Sequence, residues 1–333
     1  MHGLGPIFWL LVACRPELGD DRSTPAVDEV VTTDTACPEL APPTTTSGFL
    51  WVYQTTAMLG SWTVSASEDD SVAIDGVTFG GSFVGPTLVM EEGHDLLLQL
   101  TNRTDGDVWL DAPGLEVTAS PCFGVGRTAL FGGRSVRGAG VTLWSADSAE
   151  AAGLAGLVVV RDFELLSAVQ PEKHLNVVIW EVTPQQASVV SCEPGGSGRP
   201  DDCVTEPVAP GTNVLVLQTL TQVFEPDLVF HGGPPNEFLT TSLPTGRMTL
   251  VAGEGVWLNV YNQTNHVRTL DLGSLPLGPG GTPAGEVVLQ PRQGVSLAGV
   301  PTNEEEVVVR CVDCPEGSVD EVVLAVAASG SGG

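Results

Sequence analysis

Positive charge is scarce in this chain: 13 Lys and Arg stand against 41 Asp and Glu, a formal net charge of −28, and Lys173 is the single lysine. That balance excludes electrostatic binding to nucleic acid or to an anionic lipid surface, and it keeps the exterior well solvated. Glu68-Asp69-Asp70 with Asp75 is acidic, but it lacks the spacing of a calcium loop. Histidine (5), methionine (4) and tyrosine (2) are also few. No apolar run reaches the roughly 20 residues of a membrane-spanning helix, and none keeps a sustained helical period. There is no G-x-S-x-G, no H-E-x-x-H and no phosphate-binding glycine loop, so hydrolase, zinc-protease and nucleotide chemistry find no footing.

What the chain does hold is turn chemistry: 40 Gly and 25 Pro, interleaved with short runs rich in Val and Thr. Such punctuation predicts an all-β protein, and 333 residues are enough for about two domains of ordinary size. The stretch from Phe79 to Asn102, FGGSFVGPTLVMEEGHDLLLQLTN, carries the pattern best. Gly80-Gly81 and Gly85-Pro86 are turns that lead into a strand near Thr87. Glu91-Glu92-Gly93 is a polar turn, and Asp95 to Thr101 returns as a strand, which reads as a β-hairpin. Strands are also expected over 49–64, 72–79, 174–181, 213–220 and 227–230. A second copy of the logic follows, with a turn at Gly253-Glu254-Gly255 and a strand ending in Tyr261-Asn262.

The Phe79–Asn102 run resembles the first cupredoxin domain of multicopper oxidases and two-domain nitrite reductases, in which "NG-x-x-PGPT", an acidic-Gly turn and an "L-x-N" strand end recur. Gly80 stands in the family's Asn place and Val84 in its Pro place. The later copy resembles the second cupredoxin domain of nitrite reductases, with His231 in an Asn place. The resemblance implies two tandem cupredoxin-like Greek-key β-sandwich domains, over 48–165 and 166–328, with a short tail at 329–333.

It also shows where copper ligands would stand. Asp107–Leu115 occupies the place of "I-H-W-H-G-L", so Asp111 and Pro113 replace two His; Gly138–Ser145 occupies that of "G-T-x-x-Y-H-x-H", so Leu143 and Ser145 replace two more. Leu270-Asp271-Leu272-Gly273 falls near the family's "H-L-I-G", again without its His. Copper at such sites needs imidazole nitrogen or thiolate sulfur, which Leu and Pro cannot supply. A trinuclear centre uses eight His in the family, whereas only His94, His174, His231 and His266 lie beyond the N-terminal segment. Cys311, after Val307-Val308-Val309-Arg310, stands where a blue-copper Cys would, but no His follows residue 266 and no Met follows Met248. No cofactor is expected. The alternative is an oxidoreductase, electron carrier or copper store with an irregular site drawn from Cys311, Cys314, His231 and His266.

Residues 1–14, MHGLGPIFWLLVAC, resemble a bacterial lipoprotein signal ending in the lipidated cysteine, Cys14, and 15–47 read as a flexible tether rich in Asp, Glu, Thr and Pro. Arg15 lacks the Asp that retains such proteins in the inner membrane. The expectation is therefore an exported protein, lipid-anchored in the bacterial envelope.

 The address so implied is the outer membrane, facing the periplasm or the cell surface, with the membrane met through the lipid and an envelope protein or a second copy of the chain as partner. Cys37, Cys122, Cys192, Cys203, Cys311 and Cys314 remain, an even number. Cys192 and Cys203 flank a Gly-Ser-Pro-Asp loop and form the expected local disulfide, a contribution of about 3 kcal/mol; Cys37–Cys122 and Cys311–Cys314 complete the set by elimination. As a C-x-x-C pair, Cys311 and Cys314 could also bind a soft ion or take part in redox exchange, but an exported chain favours a structural bridge. Copper chemistry is not expected to survive, which leaves a non-catalytic binding or structural module.

Overall fold

In the computed structural model, the described residues are 52–65, 70–79, 84–85, 87–90, 95–104, 106–111, 115–117, 122–135, 141–146, 155–160, 169–192, 203–222, 237–241, 245–277 and 282–328. All of them lie in one compact unit, Ala36–Gly333. The elements they define are strands: β1 (Val52–Ser65), β2 (Asp70–Phe79), β3 (Thr87–Met90), β4 (Asp95–Asn102), β5 (Val108–Asp111), β6 (Leu115–Val117), β7 (Cys122–Phe123), β8 (Thr128–Ser135), β9 (Val141–Ala146), β10 (Ala155–Val160) and β11 (Lys173–Glu181). There follow β12 (Ala187–Cys192), β13 (Cys203–Pro207), β14 (Asn213–Gln222), β15 (Glu237–Thr241), β16 (Arg247–Val251), β17 (Val256–Asn262), β18 (Arg268–Asp271), β19 (Glu286–Leu289), β20 (Gly294–Gly299), β21 (Glu305–Cys311) and β22 (Glu321–Ala327). The chain is all-β, as its turn-rich composition predicts. The strand expected over 227–230 lies outside the described residues.

The pairings show an internal repeat. In the first half β2-β1-β4-β8 are neighbours, with β1 and β4 parallel; in the second, β14-β11-β17-β20 are neighbours, with β11 and β17 parallel. Likewise β3-β10-β9-β5-β7 is matched by β16-β22-β21-β18-β19, with β3–β10 and β16–β22 the parallel pairs. Each half is therefore two sheets joined in one order.

One expectation is corrected. The arms of the predicted hairpin, β3 and β4, do not pair: β3 lies between β10 and β15, and β4 between β1 and β8. β3 and β4 therefore belong to different sheets. The reason is burial, because Thr87, Leu88, Val89 and Met90 are all buried, and a strand covered on both faces sits inside a layered sheet rather than in an exposed ribbon. Turn chemistry alone does not distinguish these two geometries.

The same Asx turn ends β4 and β17 and marks the repeat at the level of single atoms. Asn102 Nδ2 donates to the carbonyls of Gly106 (2.8 Å) and Phe123 (2.9 Å), while its Oδ1 accepts from Thr104 N and Oγ1. Asn262 Nδ2 donates to the carbonyls of His266, Gln290 and Leu289, and its Oδ1 accepts from Thr264 N and Oγ1. Both Asn are 0% exposed, so the N-x-T triads they open serve packing and not attachment of a glycan. The following turns agree as well: Gly126 has φ 67° and Arg292 has φ 61°. A left-handed residue is natural for Gly and strained for Arg.

The halves share sheets. β12 and β13 extend the first half's β2-β1-β4-β8 sheet, and β15 joins β14 to β3. Through β15, and through the β9–β20 and β9–β10 pairings, eight strands run in a closed circuit, β10-β3-β15-β14-β11-β17-β20-β9. β11 and β17 are buried on both faces: Val178, Trp180, Trp257 and Tyr261 face one core and Leu175, Val177, Leu258 and Val260 the other. Between the halves runs a buried polar chain, in which Asn176 Nδ2 donates to Thr87 Oγ1 (2.8 Å), Asn259 Nδ2 to Asn176 Oδ1 (3.3 Å) and Ser296 Oγ to Asn259 Oδ1 (2.8 Å). Directional bonds of this kind tie the register of the two halves together.

Candidate functional site

The described first-half residues that the resemblance sets in copper-ligand places lie on β5 and β9. Asp111 lies directly opposite Ser145, and Leu110 opposite Ala146. Leu143, two residues earlier on β9, is opposite Leu157 of β10. Thus three positions from two separate motifs meet on adjacent strands, and Pro113 lies outside the described residues. The repeat supplies the matching place in the second half: Asp271 is opposite Arg310, and Leu270 opposite Cys311. Asp111, Ser145 and Ala146 correspond to Asp271, Arg310 and Cys311. Arg310 in turn forms an ion pair with Glu321, an exposed pair of small energetic weight.

Cys311 and Cys314 are joined in a disulfide with Cα atoms 5.5 Å apart. Cys311 is 1% exposed, and Cys314 packs half-buried against the same core. Around them is a network that no motif announces. Arg268 is buried, and its Nε donates to Asn213 Oδ1 (2.8 Å) while Nη1 lies 3.4 Å from the Val267 and Asp313 carbonyls. Thr269 N donates to Asp313 Oδ1 (2.9 Å) and Thr269 Oγ1 to Asp313 Oδ2 (3.3 Å). A lone basic residue at a strand start carries no sequence signal; its role depends on β14 and the Cys311–Cys314 loop arriving beside it.

The other candidates are dispersed. Cys203 and Cys122 are each disulfide-bonded, and the backbone register sets Cys192 opposite Cys203; Cys14 and Cys37 lie outside the described residues. His266 is exposed in the turn after β17. His174 is half-buried with its ring edge-on to Trp257 at 5.1 Å, while His94 and His231 are outside the described residues. Among the described residues no three His, Cys, Asp or Glu side chains are grouped to hold a metal ion.

At these two places the residue types do not fit copper. At the first-half place, Asp and Ser offer hard oxygens and Leu offers no lone pair; at the second, the sulfur of Cys311 is in a disulfide and its neighbour is a cationic Arg. Soft thiolate and imidazole donors, which copper centres use, are missing there.

No protein-family model matches the chain, and no curated protein matches it in sequence. Solved structures do match in fold. A copper nitrite reductase from Nitrosomonas europaea is 14% identical over 84% of this chain and 94% of its own, with a TM-score of 0.52. A multi-copper oxidase from Pseudomonas thermotolerans is 17% identical over 85% of this chain, with a TM-score of 0.52, and this chain spans 65% of its length. A copper-containing nitrite reductase from Thermus scotoductus is 14% identical over 83% of this chain, TM-score 0.52, and 61% of its length is spanned. The tandem repeat therefore has the cupredoxin-like fold of these proteins. At such identities the likeness concerns the fold alone.

Proposed function

We propose that this chain is a non-catalytic binding or structural module, exported and lipid-anchored in the bacterial envelope, built on the scaffold of copper oxidoreductases. The observation that carries the reading is the Cys311–Cys314 disulfide at the strand end where a copper thiolate would stand, with Ala146 at the same place in the first half. Neither residue offers the thiolate. The acidic exterior and the disulfides support an exported, soluble domain outside the reducing cytosol, and the run ending at Cys14 supports the anchor. The outer membrane is the address this reading favours.

Two experiments test it. Purified protein loaded with copper is expected to reduce neither oxygen nor nitrite; turnover that scales with bound copper would establish the oxidoreductase instead. In cells, the protein is expected in the membrane fraction, and Cys14→Ser should release it. A Cys14→Ser protein that still partitions with membranes would overturn the anchor and leave the copper result untouched.

A further inference from the structure

We propose that Cys311–Cys314 is a thiol–disulfide exchange site that accepts electrons from a dithiol, and not a structural staple. Four observations carry this inference, none of which depends on whether copper binds elsewhere.

The bridge spans a sequence separation of 3, so it restrains little of the unfolded chain. Nor does the loop need it. Cys311 N donates to the Asp320 carbonyl (2.8 Å), Val312 N to the Thr269 carbonyl (2.9 Å) and Ser318 N to the Pro315 carbonyl (3.2 Å). Asn213 N donates to Ser318 Oγ (3.0 Å), and Thr269 holds the Asp313 carboxylate. These bonds keep both cysteines in place when the S–S bond opens.

The pair is asymmetric. Cys311 is buried at the end of β21, whereas Cys314 is half-buried beside exposed Asp313, Pro315, Glu316 and Gly317, with Val312 54% exposed. An incoming thiolate therefore meets Cys314 first, and Val312 offers apolar contact to its carrier. Two charged side chains flank the bridge and act on a thiolate in opposite senses, the guanidinium favouring it and the carboxylate disfavouring it. Asp313 Oδ1 lies 3.7 Å from Cys311 Sγ, close enough to accept a hydrogen bond from the reduced thiol. Arg268, 8% exposed and bound to neutral acceptors, sets a guanidinium against the Asp313 carbonyl inside the C-x-x-C ring. A nearby cation favours thiolate, while Glu316 and Asp320 are the remaining acidic groups of the loop.

The exchange balances as follows. A thiolate of the dithiol attacks Cys314 Sγ, the Cys311–Cys314 bond breaks, and Cys311 leaves as a thiolate that takes up a proton and hydrogen-bonds to Asp313. The second thiol of the donor, as thiolate, then attacks the donor sulfur of the mixed disulfide and releases Cys314. Two electrons and two protons pass to the pair, and the dithiol becomes a disulfide.

The test treats the intact protein with increasing dithiothreitol, then alkylates free thiols, maps them by peptide mass spectrometry and follows the fold by far-ultraviolet circular dichroism. Cys311 and Cys314 are expected to open at about tenfold lower dithiothreitol than Cys122 and Cys203, with the β spectrum unchanged. Asp313→Asn, which removes the carboxylate 3.7 Å from the departing Cys311 sulfur, is expected to speed that opening about tenfold without altering the rate at Cys203. Reduction of the pair only together with loss of the fold, or an unchanged or slower rate in Asp313→Asn, overturns the proposal. Should Asp313→Asn fail to fold, the selectivity of the unsubstituted protein decides alone.

Discussion

Replacing Asn262 by Ala should cost about 4 kcal/mol and lower the melting temperature by roughly 10 °C in differential scanning calorimetry. The side chain is 0% exposed; the two N–H groups of Nδ2 are shared among three carbonyls and Oδ1 accepts two hydrogen bonds. Its loss leaves the His266, Leu289 and Gln290 carbonyls and the Thr264 N–H and hydroxyl to find new partners at a buried strand end. An average hydrogen bond contributes about 1 kcal/mol, and a buried group left unpaired costs more than that. Asn102→Ala should behave alike, because Asn102 makes four equivalent bonds in the first half. A loss below about 1 kcal/mol for both variants would mean that the turns do not hold the repeat together.

The second large effect belongs to Gly85→Ala. A Cβ at this position would lie 2.6 Å from the Ala155 carbonyl oxygen and 3.0 Å from the Phe79 Cβ, where Gly85 N donates to the same Ala155 oxygen at 2.7 Å. Contact so close requires the entry to β3 to move away from β10, and β3 is buried from end to end. Overpacking of this sort costs about 3 kcal/mol. Urea unfolding measures it: a midpoint shift with an unchanged slope is the expected form, and a variant as stable as the parent would show that the β3–β10 approach is loose.

How much of this was legible from sequence follows from the range of the interactions. Gly85 and Asn102 are turn residues whose roles are local, and the run that contains them resembles cupredoxin domains closely enough to predict the fold. Asp111, Leu143 and Ser145 are set in ligand positions only by the resemblance of the motifs around them. Pairing was harder. The hairpin drawn between β3 and β4 satisfied every local rule, yet β3 pairs instead with β10 and with β15, more than 60 and about 150 residues further on. Strands β12, β13 and β15 join sheets begun by strands of the first half, a pairing that alternation in the sequence does not specify. Arg268, Asn213 and Asp313 come together from three separate segments; Asp313 sits inside the C-x-x-C pair, but Arg268 and Asn213 have no neighbour in sequence that would flag them.

We propose that the scaffold of copper oxidoreductases persists here without residues that would bind copper. Titration of the purified, oxidised protein with Cu(II), followed by visible absorption and electron paramagnetic resonance, tests it most directly. The account predicts no intense thiolate-to-copper charge-transfer band and no stoichiometric copper after gel filtration. One tightly held copper per chain with that band would contradict it.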